Sequence, residues 1–510
     1  MIETLLHLGH GFIEVFSPIN FMFLVVGLVL GLLVAILPGL TLVMGIVLAL
    51  PFTYGLGIIP AIVLLTSMYV SGTYGGAFTS ILFRVPGEPM DVPLLWDGYK
   101  MARQGEAAKA LGYTLFAALV GGLVSATVMV SLSIPVAKFA LAMSAPEYFA
   151  VIVFGLTSVV CLGGGSMVNA FLSLFIGLLI STVGVDSTYG VDRFSFDVPM
   201  LSDGIEYISV MVGAYGLGEV LTRLERGFLS PKVDSIDGIA TKLPGWREIT
   251  AIKATFARSS LIGILVGIVP GAGATIASFI AYGVEGQYGK RRDRMGTGIP
   301  EGIVAPQAAA TASVGGAIIP LITMGIPGSG ATAIILGAFL LHGLQPGPQV
   351  FFSSSEVVYS MFASVFLSII GMCILGYFFI KALVRVLDAP EAVVSVFVVL
   401  FCFVGALATR NSTTDMWLIV VFGIVGWLFE KFDFPIAPMV LGAILGPLAE
   451  TNFMTTMIGY QNDWTVFFTH PVSAVVLALS ALALVFPFLR SVWVRANMRA
   501  RAAGRSGEPR

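Results

Sequence analysis

Charge is what this sequence lacks most. Only 11% of its 510 residues are Asp, Glu, Lys or Arg, against roughly 25% in soluble domains. That excludes an ordinary water-soluble enzyme: with 57% hydrophobic residues and a mean hydropathy of +0.95, the chain has more apolar surface than one globular core hides. A net charge of −2 gives no polybasic surface for nucleic acid. Cys161, Cys373 and Cys402 lie singly inside apolar runs and read as small core hydrophobes. The four histidines have no metal-ligand spacing. No Lys or Arg precedes Arg84, which argues against a cleaved signal peptide. What is abundant is apolar segments of bilayer length, with 59 Gly and 26 Pro. Both residues are commoner in transmembrane helices than in soluble ones. The composition predicts an all-α integral membrane protein whose main neighbour is the lipid bilayer.

A crossing takes about 20 apolar residues. Crossings are expected near 58–83, 111–135, 148–162, 167–185 and 207–222, then 303–325, 357–380, 392–409, 416–430, 435–448 and 471–489. That makes about 11 crossings plus two segments broken by Pro-Gly. Cytoplasmic loops carry the excess of Lys and Arg. With the N-terminus periplasmic and the C-terminus cytoplasmic, all but Lys138, Arg193 and Arg410 of the 27 Lys and Arg fall on the cytoplasmic side. The run Leu261 to Gly283 has basic blocks at both ends and is too short to cross twice. It reads as a re-entrant hairpin with Pro270-Gly271-Ala272-Gly273-Ala274 at its tip, or as one Pro-kinked span. Broken backbone at membrane depth is tolerated only inside protein or beside a watery cavity.

An internal repeat is visible. Pro38-Gly39-Leu40-Thr41 corresponds to Pro270-Gly271-Ala272-Gly273, and Gly31 to Gly263. Gly75-Gly76-Ala77 corresponds to Gly315-Gly316-Ala317, and Val85-Pro86-Gly87 to Ile326-Pro327-Gly328. Each half holds five crossings and one hairpin, so the halves have opposite topology. Residues 1–222 form the first inverted repeat, 223–258 a cytoplasmic linker and 259–450 the second repeat. Residues 451–510 supply a final helix and a basic tail. Inverted repeats with paired broken helices are characteristic of secondary transporters, whose site lies at the midplane between the halves. The first hairpin, about 21–54, is either re-entrant or two full spans.

Proline removes a backbone donor and glycine permits unusual dihedrals, so such tips free N–H groups on one side and C=O groups on the other. Helix N-termini favour carboxylates, while carbonyls and hydroxyls coordinate Na⁺. The expected substrate- and ion-binding residues are Pro38, Gly39, Thr41, Gly87, Gly271, Gly273, Thr275, Gly328 and Ser329. Thr41 and Ser329 are the expected Na⁺ ligands, and Ser278 and Thr332 are further hydroxyls near the tips. Gly27, Gly31, Gly263 and Gly267 read instead as close-packing positions. Glu147, Glu219, Glu285, Glu301 and Glu391 fall near segment ends. That shortage of intramembrane carboxylates favours Na⁺ over H⁺ as coupling ion. No cofactor is expected.

Six ordered motifs between about residues 20 and 450 carry a family resemblance. They are Leu37-Pro38-Gly39-Leu40, Val85-Pro86-Gly87-Glu88-Pro89, Asp97-Gly98-Tyr99 to Arg103-Gln104-Gly105, Pro270 to Ala274, Gly325 to Ser329 and Leu341 to Pro348. Together they resemble the large membrane subunit of the tripartite tricarboxylate transporters. The resemblance implies a bacterial inner-membrane, ion-driven importer of small carboxylates, with a small membrane subunit and a periplasmic solute-binding protein as partners. Where relatives have Ala-Pro-Glu-Ala-Ala-Asn-Asn, this chain has Gln307, Ala310 and Thr311 in place of the carboxylate and amides. The alternative within transport is a stand-alone carboxylate carrier. A membrane-embedded enzyme would need clustered Asp, His or Cys, which the sequence does not offer.

Overall fold

The computed structural model describes residues 2–37, 40–162, 166–186, 189–227, 241–378, 391–410 and 412–485. Its helices are α1 (Ile2–Val15), α2 (Pro18–Ile36), α3 (Leu42–Ala49), α4 (Ile58–Phe83), α5 (Leu94–Met101), α6 (Ala107–Leu141), α7 (Ala145–Leu162) and α8 (Met167–Ser181). A helix over 207–226, α9, contains a π-turn at Val212–Leu217. Beyond it lie α10 (Trp246–Ala251), α11 (Lys253–Ile268), α12 (Gly273–Tyr288), α13 (Glu301–Met324), α14 (Gly330–Leu341), α15 (Ser355–Phe378), α16 (Glu391–Arg410), α17 (Thr413–Lys431), α18 (Ile436–Gly459) and α19 (Pro471–Val485). Among the described residues, seven helical stretches are long and apolar enough to cross a membrane. The structure is mainly helical, with one short strand pair, and is consistent with the expected all-α membrane protein.

The centre is built from α4 and α13, whose side chains are buried almost throughout. Helix α2 packs on α4, and α11 packs on α13. The four glycines expected at packing positions make those contacts. A Cβ at Gly27 would lie 2.4 Å from the Leu64 carbonyl oxygen, and one at Gly31 2.4 Å from that of Met68. The corresponding figures for Gly263 and Gly267 are 2.3 Å from Ala309 O and 2.5 Å from Ser313 O. Small residues let backbones approach where lipid supplies no hydrophobic drive. Helix α6 closes on α13, and α15 on α4.

Some expected boundaries move. The segment 167–185 stops being helical at Ser181, and Gly184–Val185 pairs antiparallel with Asp192–Arg193. The segment expected over 435–448 runs on to Gly459. Its continuation carries Glu450, which the Arg193 guanidinium grips at 2.6 and 3.1 Å. The other end of the bundle is basic. There Lys109 meets Glu248 at 2.8 Å, Lys431 meets Glu225 at 2.6 Å, and Arg291 forks onto Glu301 at 2.7 and 2.6 Å. The Lys109 hydrogen bond holds the Glu248 carboxyl below the ordinary carboxylate range.

Candidate functional site

The site is assembled from helix breaks. Pro38 and Gly39, at the first expected tip, lie outside the described residues. On their two sides, α2 ends at Leu37 in extended geometry and Thr41 caps α3, its Oγ1 accepting from Met44 N at 3.2 Å. At the second tip, Gly271 adopts φ +81°, and its N–H donates to Gly328 O at 3.1 Å. Gly273, at φ +57°, opens α12 with its Cα beside Ser329; a Cβ there would sit 3.6 Å from Ser329 Cβ. Thr275 comes next in the first turn of α12, half-buried.

The second pair of breaks is built the same way twice. Helix α4 ends at Arg84 (φ 60°) and α13 at Gly325 (φ 72°), both left-handed. Val85 N then donates to Thr79 O at 3.3 Å, and Ile326 N to Pro320 O at 3.2 Å. Each bond reaches six residues back and satisfies one of the last free carbonyls of its helix. A Cβ at Gly87 would lie 2.3 Å from Gly76 Cα and 2.6 Å from Ala35 O. One at Gly328 would lie 2.6 Å from both Ala317 Cα and Gly267 O. Only glycine fits either place.

Just past these two glycines, the halves differ in chemistry but not in geometry. Glu88 N donates to Asp91 Oδ2 at 3.0 Å, and Ser329 N donates to Thr332 Oγ1 at 2.8 Å. A carboxylate pair therefore occupies in one half the position of a hydroxyl pair in the other. Glu88 also accepts from Leu42 N, the first amide of α3. Ser329 Oγ lies 3.1 Å from Tyr69 Oη.

The halves interlock here. Ser278 of α12 donates to Met90 O at 2.6 Å, and Val43 of α3 would lie 3.3 Å from a Cβ at Gly330. So the structure gathers Thr41, Gly87, Gly271, Gly273, Gly328 and Ser329 into one cluster. It gives Thr41, Ser278, Ser329 and Thr332 capping or bridging bonds. At the end of α13 and the far end of α14, a cavity of about 340 Å³ is lined by Met324, Gly325, Tyr148, Leu340, Gln345 and Asn452 among others.

The sequence reading overlooked two carboxylates. Glu88 and Asp91 are 7% and 1% exposed, and among the described residues neither has a Lys or Arg partner. Their proximity to Arg84 and Lys100 in sequence made them look like loop residues. The Glu in Pro-Gly-Glu-Pro, directly after a helix break, was the available signal. Gln307 sits in the second turn of α13, its Nε2 donating to Thr73 O and Thr311 Oγ1, both at 3.1 Å. Its Oε1 is buried and has no partner among the described residues.

Comparison with known proteins decides the family. Residues 21–441 match the model of the tripartite tricarboxylate transporter TctA family. The chain belongs to this family. It is also 33% identical over 495 residues to an uncharacterised 52.8 kDa protein in the TAR-I ttuC′ 3′ region of Agrobacterium vitis, covering 96% of this chain and 98% of that one. A second uncharacterised protein, from the TAR-II ttuC′ 3′ region of the same organism, is 34% identical over 230 residues, 45% of this chain and 95% of that one. No solved structure matches the chain. The matched span contains all four breaks, and TctA membership makes a transporter subunit, not an enzyme, the plausible assignment.

Proposed function

We propose that the chain is the transmembrane subunit of a binding-protein-dependent, ion-driven importer of small di- or tricarboxylates. Its partners are then a small membrane subunit and a periplasmic solute-binding protein. It sits in a bacterial inner membrane with its N-terminus periplasmic and its basic tail cytoplasmic. Residues 1–222 and 259–450 act as two inverted repeats, joined by the 223–258 linker, and 451–510 add the last helix and tail. The arms α11 and α12, 16 residues each, reach only about 24 Å at 1.5 Å per residue, which supports the re-entrant reading of that hairpin.

The observation that carries the proposal is the meeting in one cluster of three helix breaks and Thr41 at the edge of a fourth, with Gly87 and Gly328 buried and Thr41, Gly271, Gly273 and Ser329 half-buried. A small carboxylate entering a low-dielectric region needs opposite charge, and no Lys or Arg is among the cluster's partners. The dipoles at the starts of α12 and α14 supply part of it, and a co-bound cation supplies more; at α3 the first amide already donates to Glu88. We assign Na⁺ to that role, with Thr41 and Ser329 as hydroxyl ligands. A second reading, H⁺, is favoured by Glu88: a buried carboxylate without a counter-cation takes up a proton readily.

Reconstitution in proteoliposomes tests the proposal. Carboxylate accumulation should require the solute-binding protein and an imposed Na⁺ gradient. Accumulation without the binding protein would make this a stand-alone carrier; accumulation driven fully by a pH gradient would transfer coupling to Glu88.

A further inference from the structure

Asp97, on α5, is fully buried, and its hydrogen-bond partners are all neutral. Oδ1 accepts from Gly298 N at 2.8 Å and Ile299 N at 3.0 Å. Oδ2 accepts from Tyr282 Oη at 2.8 Å and Gly296 N at 2.9 Å. Gly296 and Gly298 hold φ of +77° and +97°, turning successive amides toward one point as an anion nest does. Room for the carboxylate exists because residue 302 is glycine: a Cβ there would lie 2.0 Å from Asp97 Oδ2. Around this centre, Trp96 stacks edge-on against Tyr282 at 4.7 Å, Lys100 reaches Gly296 O, and Gln104 reaches Thr297 O at 3.0 Å.

The three segments held by Asp97 are the ones that lead to three of the breaks. Helix α5 comes after the Pro86-Gly87 break. Tyr282 stands on α12, which begins at Gly273. The loop 296–299 opens α13, whose far end is the Gly325–Gly328 break. All three meet at the basic end of the bundle. At the far end of α13 the packing is different: the cavity of about 340 Å³ opens beside Gly325 and Leu340. One end of the molecule is latched while the other is hollow.

We propose that Asp97 is a positioning residue that latches the cytoplasmic gate, and that this structure is the outward-facing conformer. The inference deepens the transporter reading and rests on it. Hydrogen bonds to a charged group are the strong ones, so four of them hold the closed gate firmly. A buried charge is also costly to desolvate. When the segments part, water rehydrates the carboxylate and returns that cost, which makes the latch releasable. An apolar contact of equal area would have no such compensation.

The test uses the full chain in membrane vesicles, in a background lacking Cys161, Cys373 and Cys402. Two reporters are labelled with a membrane-impermeant maleimide: Ser278→Cys, one turn of α12 from Tyr282 and behind the latch, where Ser278 bonds Met90 O, and Gln345→Cys in the cavity. With Asp97 intact, Gln345→Cys should react from outside and Ser278→Cys should be protected from the cytoplasmic side. Adding Asp97→Asn places an amide N–H against the nest's own donors. Cytoplasmic labelling of Ser278→Cys should then rise about tenfold or more, the worth of one lost bond to a charged group, while outside labelling of Gln345→Cys falls. Tyr282→Phe removes one of the four bonds and should give a smaller shift in the same directions; it also serves if Asp97→Asn does not fold. Labelling that rises at both reporters, as in a merely loosened fold, overturns the latch, and so does labelling unchanged at both. Because the readout needs no substrate, the latch can fail while uptake succeeds, and a protein that transports no carboxylate can still show the reciprocal shift.

Discussion

Replacing Gly328 by alanine adds one methyl group at the point where the second hairpin tip, α13 and the Ile326-Pro327-Gly328 break meet. The new Cβ would lie 2.6 Å from Ala317 Cα and 2.6 Å from Gly267 O. Ordinary carbon contacts are about 3.5–4.0 Å, so the break must retreat by roughly 1 Å, and both obstacles are backbone that cannot rotate away. Overpacking of this kind costs about 1–3 kcal/mol. The functional cost is larger, because the same movement pulls Gly328 O from Gly271 N and shifts Ser329. A misplacement of about 1 Å at a positioned site costs on the order of 10²-fold in rate. Gly87→Ala should behave alike, since its Cβ would meet Gly76 Cα at 2.3 Å and Ala35 O at 2.6 Å. Gly330→Ala is the control. Its Cβ meets only the Val43 methyls, at 3.3 and 3.8 Å, and should leave uptake near the wild-type rate. Initial uptake rates, normalised to protein in the membrane, measure all three. Wild-type uptake by Gly328→Ala, or equal losses in all three variants, would refute the reasoning.

Gly271→Leu should abolish uptake without removing the protein from the membrane, because φ +81° and a Cβ 2.6 Å from Val159 Cα exclude a side chain there; immunoblots of membranes beside uptake assays check both halves of the statement. Glu88→Gln should leave Na⁺-driven uptake within a few-fold of wild type if Na⁺ alone is coupled, and should remove any uptake driven by a pH gradient; pairing the two gradients in proteoliposomes separates the outcomes. Ser329→Ala should raise the Na⁺ concentration needed for half-maximal uptake, whereas Thr332→Ser, which keeps the hydroxyl that Ser329 N donates to at 2.8 Å, should not. Reporter fusions after residue 485 should be active only in the cytoplasm; a periplasmic reporter signal would reverse the topology.

The breaks were legible because proline and glycine announce them chemically, and α4 was expected over its observed range. The stop after α4 was expected from Pro86-Gly87, but not that Arg84 makes it in a left-handed conformation that glycine normally supplies. Helix α14 was missed because its 12 residues are too few to read as a crossing, although they link a break to the cavity. Helix α18 outran its apolar segment because Arg193, far away in sequence, supports Glu450 beyond it. The same non-locality hid the carboxylates. Glu88 is buried by Leu42, Asp97 by Tyr282 and Gly302; Glu88 had its place after a helix break as a signal, and Asp97 had none beside it. Thr41 and Ser329 were found as hydroxyls after a break, but the sequence did not reveal that both already cap helices.

The central claim is that breaks from both halves form one moving translocation site. A disulfide across that junction tests it most directly. A Cβ at residue 330 would lie 3.3 Å from Val43 Cγ2, within disulfide reach of a side chain at 43. In the background without native cysteines, Val43→Cys with Gly330→Cys should cross-link under mild oxidant, stop uptake, and regain it on reduction. Failure to cross-link in native membranes, or full-rate uptake by the cross-linked protein, would contradict the account.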